Sequence, residues 1–224
     1  MSDWDTAVRY LLDLAADKFE ATGAEPTTVA EVTALLRHGP LGATPREPSR
    51  APACRHWEPL LDVASAQGQG DLADALRPLG GALGWMSGGD FYGPAASALG
   101  DKLAYADVVG PYGGLFAAGG YHIGPIIFGP HMDYPAHAHP AAEFYYLLAG
   151  HGEWLRGDEA WTARPPGSLF YHSPNMPHAA RTADQPVLAL VCLFGDVDGP
   201  PLLLGISPRR PGAVRWPPPC RPRG

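Results

Sequence analysis

Long apolar runs are missing from this 224-residue chain: the longest, Val187 to Phe194, has eight residues, where a membrane-spanning helix needs about 20. A membrane is therefore not an expected partner. Basic residues are also scarce. The net charge is −7, and because the stretch from Ser207 to Gly224 holds five Arg and no acid, the body before it carries 11 basic against 23 acidic residues. That balance argues against a broad basic face, so nucleic acid is not an expected partner. Cysteines number three, Cys54, Cys192 and Cys220, with no CxxC spacing, which argues against a zinc knuckle or redox pair and leaves reduced thiols, Cys192 in the core. The N-terminus, Met-Ser-Asp-Trp-Asp, lacks the basic and apolar regions of a secretory signal, so the expected location is cytoplasmic. What is abundant is Gly (28) and Pro (26), against only 17% charged residues. Such turn density favours short strands over an all-helical bundle.

Residues 1–104 read as a helical segment. Trp4, Val8, Leu11, Leu12, Ala15 and Phe19 recur mostly at intervals of three and four between Asp3 and Glu20, and Val29, Val32, Leu35 and Leu36 continue the pattern after Pro26 until Gly39-Pro40 stops it. Two shorter helical patterns, Trp57 to Ala66 and Asp71 to Leu76, flank a Gln-Gly-Gln-Gly linker, and Gly42 to Ala53 reads as loop. After about Tyr105 the texture changes to β-type runs between turns. Strands are expected at Tyr121–Phe128, Ala136–His139, Glu143–Ala149, Glu153–Arg156, Ala160–Ala163, Ser168–His172, His178–Thr182 and Val187–Phe194. Residues 105–206 thus predict an antiparallel sandwich or small barrel with the helices packed outside, and 207–224 a flexible Pro/Arg-rich tail.

Seven of the nine histidines lie between His122 and His178. His137 and His139 stand two apart in an extended segment, so their side chains leave one face with Cα atoms about 6.6 Å apart. Glu143 keeps that parity, and His178 lies where an antiparallel partner strand can return it to the same place. Three imidazoles and one carboxylate suit one divalent transition-metal ion, Zn, Mn, Fe or Ni, and leave positions open for water or substrate. The competing reading, strand histidines packed among Tyr and Phe, accounts less well for all four spacings. His122, His131 and His151 are expected in solvated strand ends or turns, with His172 at most lining the cavity.

These residues resemble the cupin superfamily. Its His-x-His-x3-Glu-x6-Gly motif is present as His137, His139, Glu143 and Gly150, and its second motif runs from Gly167 to His178. Departures are Ser173 for a Pro, Asn175 and His131 for glycines, and Thr182 for an Asn. The segment Tyr134-Pro135-Ala136-His137-Ala138-His139-Pro140-Ala141-Ala142-Glu143-Phe144-Tyr145 further resembles the cupin-type dimethylsulfoniopropionate lyases, over roughly Val109 to Asp196. The resemblance implies a mainly β fold, a cupin barrel with an N-terminal helical segment. It also implies a metal-dependent carbon–sulfur lyase that forms dimethyl sulfide and acrylate by β-elimination.

The ion would favour an anionic or zwitterionic small molecule, and a base must stand near it. Tyr145 shares the parity of Glu143, and Tyr134 precedes His137 by three. A phenol near pKa 10 must drop by about 3 pH units, about 4 kcal/mol, to act near neutrality, which a nearby cation can supply. The sulfonium end calls for aromatic faces, with Tyr134, Trp154, Trp161, Tyr121 and Phe128 as candidates. A metal-dependent dioxygenase and a non-catalytic small-molecule-binding cupin remain open on the same ligands, as does a homodimer.

Overall fold

The structure is a computed structural model and describes residues 3–23, 25–43, 47–92, 99–199 and 201–204. Helix α1 (Asp3–Ala21) and helix α2 (Pro26–His38) pair through the apolar stripes read above, with Val8, Leu11, Leu12, Phe19, Val32 and Leu36 fully buried. Arg37 ties the pair on the solvent side to Asp17 at 2.7 Å and Glu20 at 2.9 Å, exposed contacts worth little beyond orientation. After β1 (Gly42–Ala43), α3 (Trp57–Ala64) and α4 (Gly70–Leu76) flank the expected linker, which turns through Gly68 at φ +83°.

Strands also occur before the expected change of texture. β2 (Met86–Ser87), followed by α5 (Gly88–Tyr92), and β3 (Leu103–Tyr105) add to the edge of the main sheet, and β4 (Phe116–Ala117) pairs with β1. The boundary drawn at 104/105 therefore falls inside β3. Strands of two or three residues leave no readable alternation. The expected tail from Ser207 to Gly224 lies outside the described residues.

The long strands form two antiparallel sheets. One has the order β10-β7-β12-β5-β3-β2, with β5 (Tyr121–Phe128), β7 (Ala142–Ala149), β10 (Leu169–His172) and β12 (Val187–Phe194). The other runs β13-β6-β11-β8-β9, with β6 (Asp133–Ala138), β8 (Gly152–Arg156), β9 (Thr162–Arg164), β11 (His178–Thr182) and β13 (Leu202–Leu203). This is the mainly β cupin architecture with N-terminal helices.

β5 and β7 are buried at every position because the first sheet has apolar cover on both sides. Its outward residues, among them Tyr121, Ile123, Phe144, Tyr146, Leu190 and Cys192, join the core made with α1 to α4. Its inward residues, including Ile126, Phe128, Tyr145, Leu147, Ala189 and Val191, join a second core shared with Tyr134, Trp154 and Ala180 of the facing sheet. Near-continuous hydrophobic strands are what a wall buried on both faces requires.

Candidate metal centre

Strand pairing assembles the histidines. His172 on β10 stands directly opposite Glu143 on β7, and His178 on β11 opposite His137 on β6. Between His178 and Ala180 the β6 strand carries one extra residue, since these two face His137 and Tyr134, three apart. Strict alternation would send Tyr134 and His137 to opposite faces; this bulge turns both inward, and their rings lie 4.6 Å apart. It also frees the Pro135 carbonyl, which accepts the His137 Nδ1–H at 2.9 Å. Proline, with no N–H to offer a ladder, suits such a position.

The turns around the motif keep the backbone conformation where they change the residue. His131 (φ 52°) and Asn175 (φ 61°), the two departures from glycine, both hold the left-handed region that glycine adopts freely. Thr182 donates to the Gly129 carbonyl at 2.6 Å and accepts the Met132 N–H at 3.0 Å, closing the turn ahead of β6.

His137, His139, Glu143, His172 and His178 are all buried. Ligand atoms of His137, His139 and His178 lie within 4.8 Å of one another, as do those of Glu143, His172 and His178. His139 and His178 each give Nδ1–H to a backbone carbonyl, of Ala141 at 2.9 Å and Met176 at 2.8 Å, while His172 gives its Nδ1–H to Glu143 Oε2 at 2.8 Å. A carbonyl or carboxylate only accepts, so the proton of each neutral ring sits on Nδ1 and the Nε2 lone pair is exposed to the interior.

The Nε2 atoms of His139, His172 and His178 are buried without a hydrogen-bond partner. His178 Nε2 stands 3.2 Å and His139 Nε2 3.7 Å from Glu143 Oε2. Lone pairs aimed at a buried carboxylate oxygen repel unless a cation lies between them, so the donor set fits a divalent ion. Burial alone would raise the Glu143 carboxyl, yet His178, His139 and His172 hold it well below the usual range. Burial together with His178 keeps His137 well below the usual imidazole value.

His137, His139 and Glu143 share one cavity with Tyr134 and Tyr145, and among the described residues no Lys or Arg lines it. Tyr145 stacks on Phe170 at 5.4 Å and approaches His172 at 5.6 Å, and Phe128 touches both Tyr134 (5.7 Å) and Tyr145 (6.3 Å).

The expected aromatic wall is only partly there. Trp154 and Phe128 lie inside the barrel but behind the tyrosines, outside the cavity lining. Tyr121 corrects the reading: it stands seven residues from Phe128, an odd separation that sends it to the helix-covered face. Trp161 is likewise corrected, being off the cavity and covered by the Arg181 guanidinium at 4.3 Å.

Two histidines also differ from expectation. His172 is fully buried and bound to Glu143. His122, expected in solvent, is buried and lines the cavity with Tyr105 and Tyr112, because its even position on β5 matches Ile126 and Phe128. The signal was that parity, but it acquires meaning only once β5 is known to be the second strand over from β7.

Burial holds His122 down to about 4, so the unfolded chain, with an ordinary value near 6.5, binds this proton first as pH falls. Stability is present above about pH 6.5 and decreases through the window down to about 4, by up to about 3 kcal/mol from this residue. Urea titrations at pH 7 and pH 4.5 should show that loss reduced in His122→Leu; an identical pH dependence in both proteins would contradict it.

An antiparallel cupin barrel with a buried His/Glu group able to bind a metal ion is the class that fold and site define. Within that class, the family model for dimethylsulfoniopropionate lyase matches residues 26–189, and the chain belongs to that family of carbon–sulfur lyases. It is 30% identical over 212 residues to dimethylsulfoniopropionate lyase DddQ of Ruegeria pomeroyi, covering 91% of this chain and 96% of that protein. The crystal structure of that lyase superposes with a TM-score of 0.68 over 89% of this chain and 96% of the other. A putative dimethylsulfoniopropionate lyase DddL of Cereibacter sphaeroides is 30% identical over 156 residues, 70% of this chain and 64% of that protein. No helix among the described residues is long and apolar enough to cross a membrane.

Proposed function

We propose that the protein cleaves dimethylsulfoniopropionate to dimethyl sulfide and acrylate by metal-dependent β-elimination. The observation that carries this reading is the shared cavity: Tyr134 and Tyr145 face the same space as His137, His139 and Glu143 in a chain of this family. A divalent ion held by His137, His139, Glu143 and His178 would accept the substrate carboxylate and draw charge from the α-carbon, acidifying its C–H. With no Lys or Arg in the lining among the described residues, that end of the site is the natural seat for the carboxylate.

The base is assigned to Tyr145. Its phenolate oxygen takes the α-proton, the C–H electron pair becomes the new C=C bond, and the C–S bond breaks with its pair leaving on dimethyl sulfide. Tyr134, against His137, is assigned a hydrogen bond to the substrate carboxylate. Tyr105 and Tyr112 are unsuited to the base role. Burial and the neighbouring Asp107 hold Tyr105 well above the usual phenol value, and the same causes push Tyr112 up to about 12.

The test is headspace detection of dimethyl sulfide from purified protein loaded in turn with Zn, Mn, Fe or Ni, ions that these ligands accept alike. Product with at least one metal and none after chelation is expected; no product with any of the four would overturn the reading.

A further inference from the structure

The cavity that holds His137, His139 and Glu143 is also lined by Tyr105, Tyr112 and His122. Strand register sets the span: Glu143 pairs with Leu193, and Leu193 with His122, two strand spacings or about 10 Å. The Tyr112 and His122 rings meet edge to face at 5.4 Å. Tyr105 is one strand further on, paired with Ile126.

Behind these rings lies Asp107, with no exposed surface. Its carboxylate accepts the Tyr105 hydroxyl and, at 2.8 Å, the Tyr112 backbone N–H. The loop closes tightly around it. Gly110 sits at φ +146°, and a Cβ there would come within 2.2 Å of Asp107 Oδ2. The carboxylate is thus held in place by the phenol of Tyr105 and the backbone of Tyr112, two residues that line the cavity.

From this arrangement we infer that the Tyr105–Tyr112–His122 end seats the cationic head of the substrate, a sulfonium or quaternary ammonium group, and that Asp107 sets the preference for a cation over a neutral group. The inference rests on the lyase reading for the orientation of the substrate. An onium head offers no hydrogen bond, so it is recognised through π faces and through the field of an anion that water does not screen. Donation of the Tyr105 O–H to Asp107 adds electron density to that phenol. His122, held near 4 by burial, stays uncharged at neutral pH and does not repel the head. Carboxylate carbon and onium centre lie about 4 Å apart along three extended bonds, which fits the roughly 10 Å span once side chains reach in from both ends.

The test uses two carboxylates of one shape, 3-(trimethylammonio)propionate and its uncharged isostere 4,4-dimethylpentanoate, titrated calorimetrically into metal-loaded protein. The parent is expected to favour the cation by about tenfold or more. Asp107→Asn should lower that ratio to about threefold or less while the isostere binds within about twofold of its parent affinity. Since Asp107 is a buried hydrogen-bond acceptor, Tyr112→Leu provides the second variant: it keeps the backbone N–H and removes only the ring face, with the same expectation.

A parent ratio near one, or a ratio unchanged in the folded variants, overturns the inference. The headspace assay separates this from the lyase reading. Dimethyl sulfide release with an unchanged ratio overturns the cation seat alone, and a ratio that falls as expected without any dimethyl sulfide release supports the seat and overturns the lyase.

Discussion

Tyr145→Phe is expected to reduce dimethyl sulfide release by about 10²- to 10⁴-fold, the usual contribution of a positioned general base, with metal content unchanged. The Tyr145 ring is 2% exposed and held between Phe170, Trp154, Phe128 and His172. Phenylalanine keeps that packing and removes only the oxygen, so the loss reports on the hydroxyl rather than on a disturbed core. The fall should lie in kcat, since the substrate carboxylate is bound elsewhere, while KM moves little. Tyr134→Phe, assigned a hydrogen bond and not the proton, should cost less and should raise KM. Were Tyr134→Phe the more damaging in kcat, the base would be Tyr134; losses below about fivefold in both would remove both from the role.

The double variant His137→Ala/His139→Ala is expected to lose about one equivalent of metal and all activity. It should also separate ligation from folding. An ion that binds only the folded chain adds about 2.7 kcal/mol when present at 100 times its dissociation constant. For a chain of this size that corresponds to roughly 5–10 °C in melting temperature. Chelator should therefore lower the Tm of the parent by that margin and leave the variant's Tm where it is. Equal metal content in the two proteins, measured by elemental analysis, would refute the site.

Local periodicity carried much of the reading, and long-range register carried the remainder. Val8, Leu11, Leu12, Ala15 and Phe19 recur at helical intervals and are all buried, so α1 was visible within 19 residues. The strands Tyr121–Phe128 and Val187–Phe194 fall on the expected bounds because turn residues delimit them on both sides. Glu143 and Tyr145 share a face by parity, and parity needs no knowledge of the fold. The same rule separates Tyr121 from Phe128, which belong to the helix-covered and the inward face respectively. Tyr105, Tyr112 and His122 became a group only when β3 and β5 joined one sheet. His172 reached Glu143 only through the β10–β7 pairing. No local pattern contains such information, since it depends on which strands become neighbours.

The bulge opposite His178 and Ala180 makes the inward position of Tyr134 a matter of chain length as much as of residue identity. Two residues of β6, Pro135 and Ala136, answer the single Ala179 of β11 there. Shortening β6 by one between Tyr134 and His137 would leave them two apart, so that simple alternation alone turns both inward, whereas closing the bulge at the present length would rotate Tyr134 onto the outside of the barrel with every chemical group of the site still encoded. Substitution scans leave this spacing intact and so cannot detect it. Relatives one residue shorter in this short stretch should therefore keep both cavity tyrosines without a bulge, and relatives of equal length should keep both only where the bulge is retained.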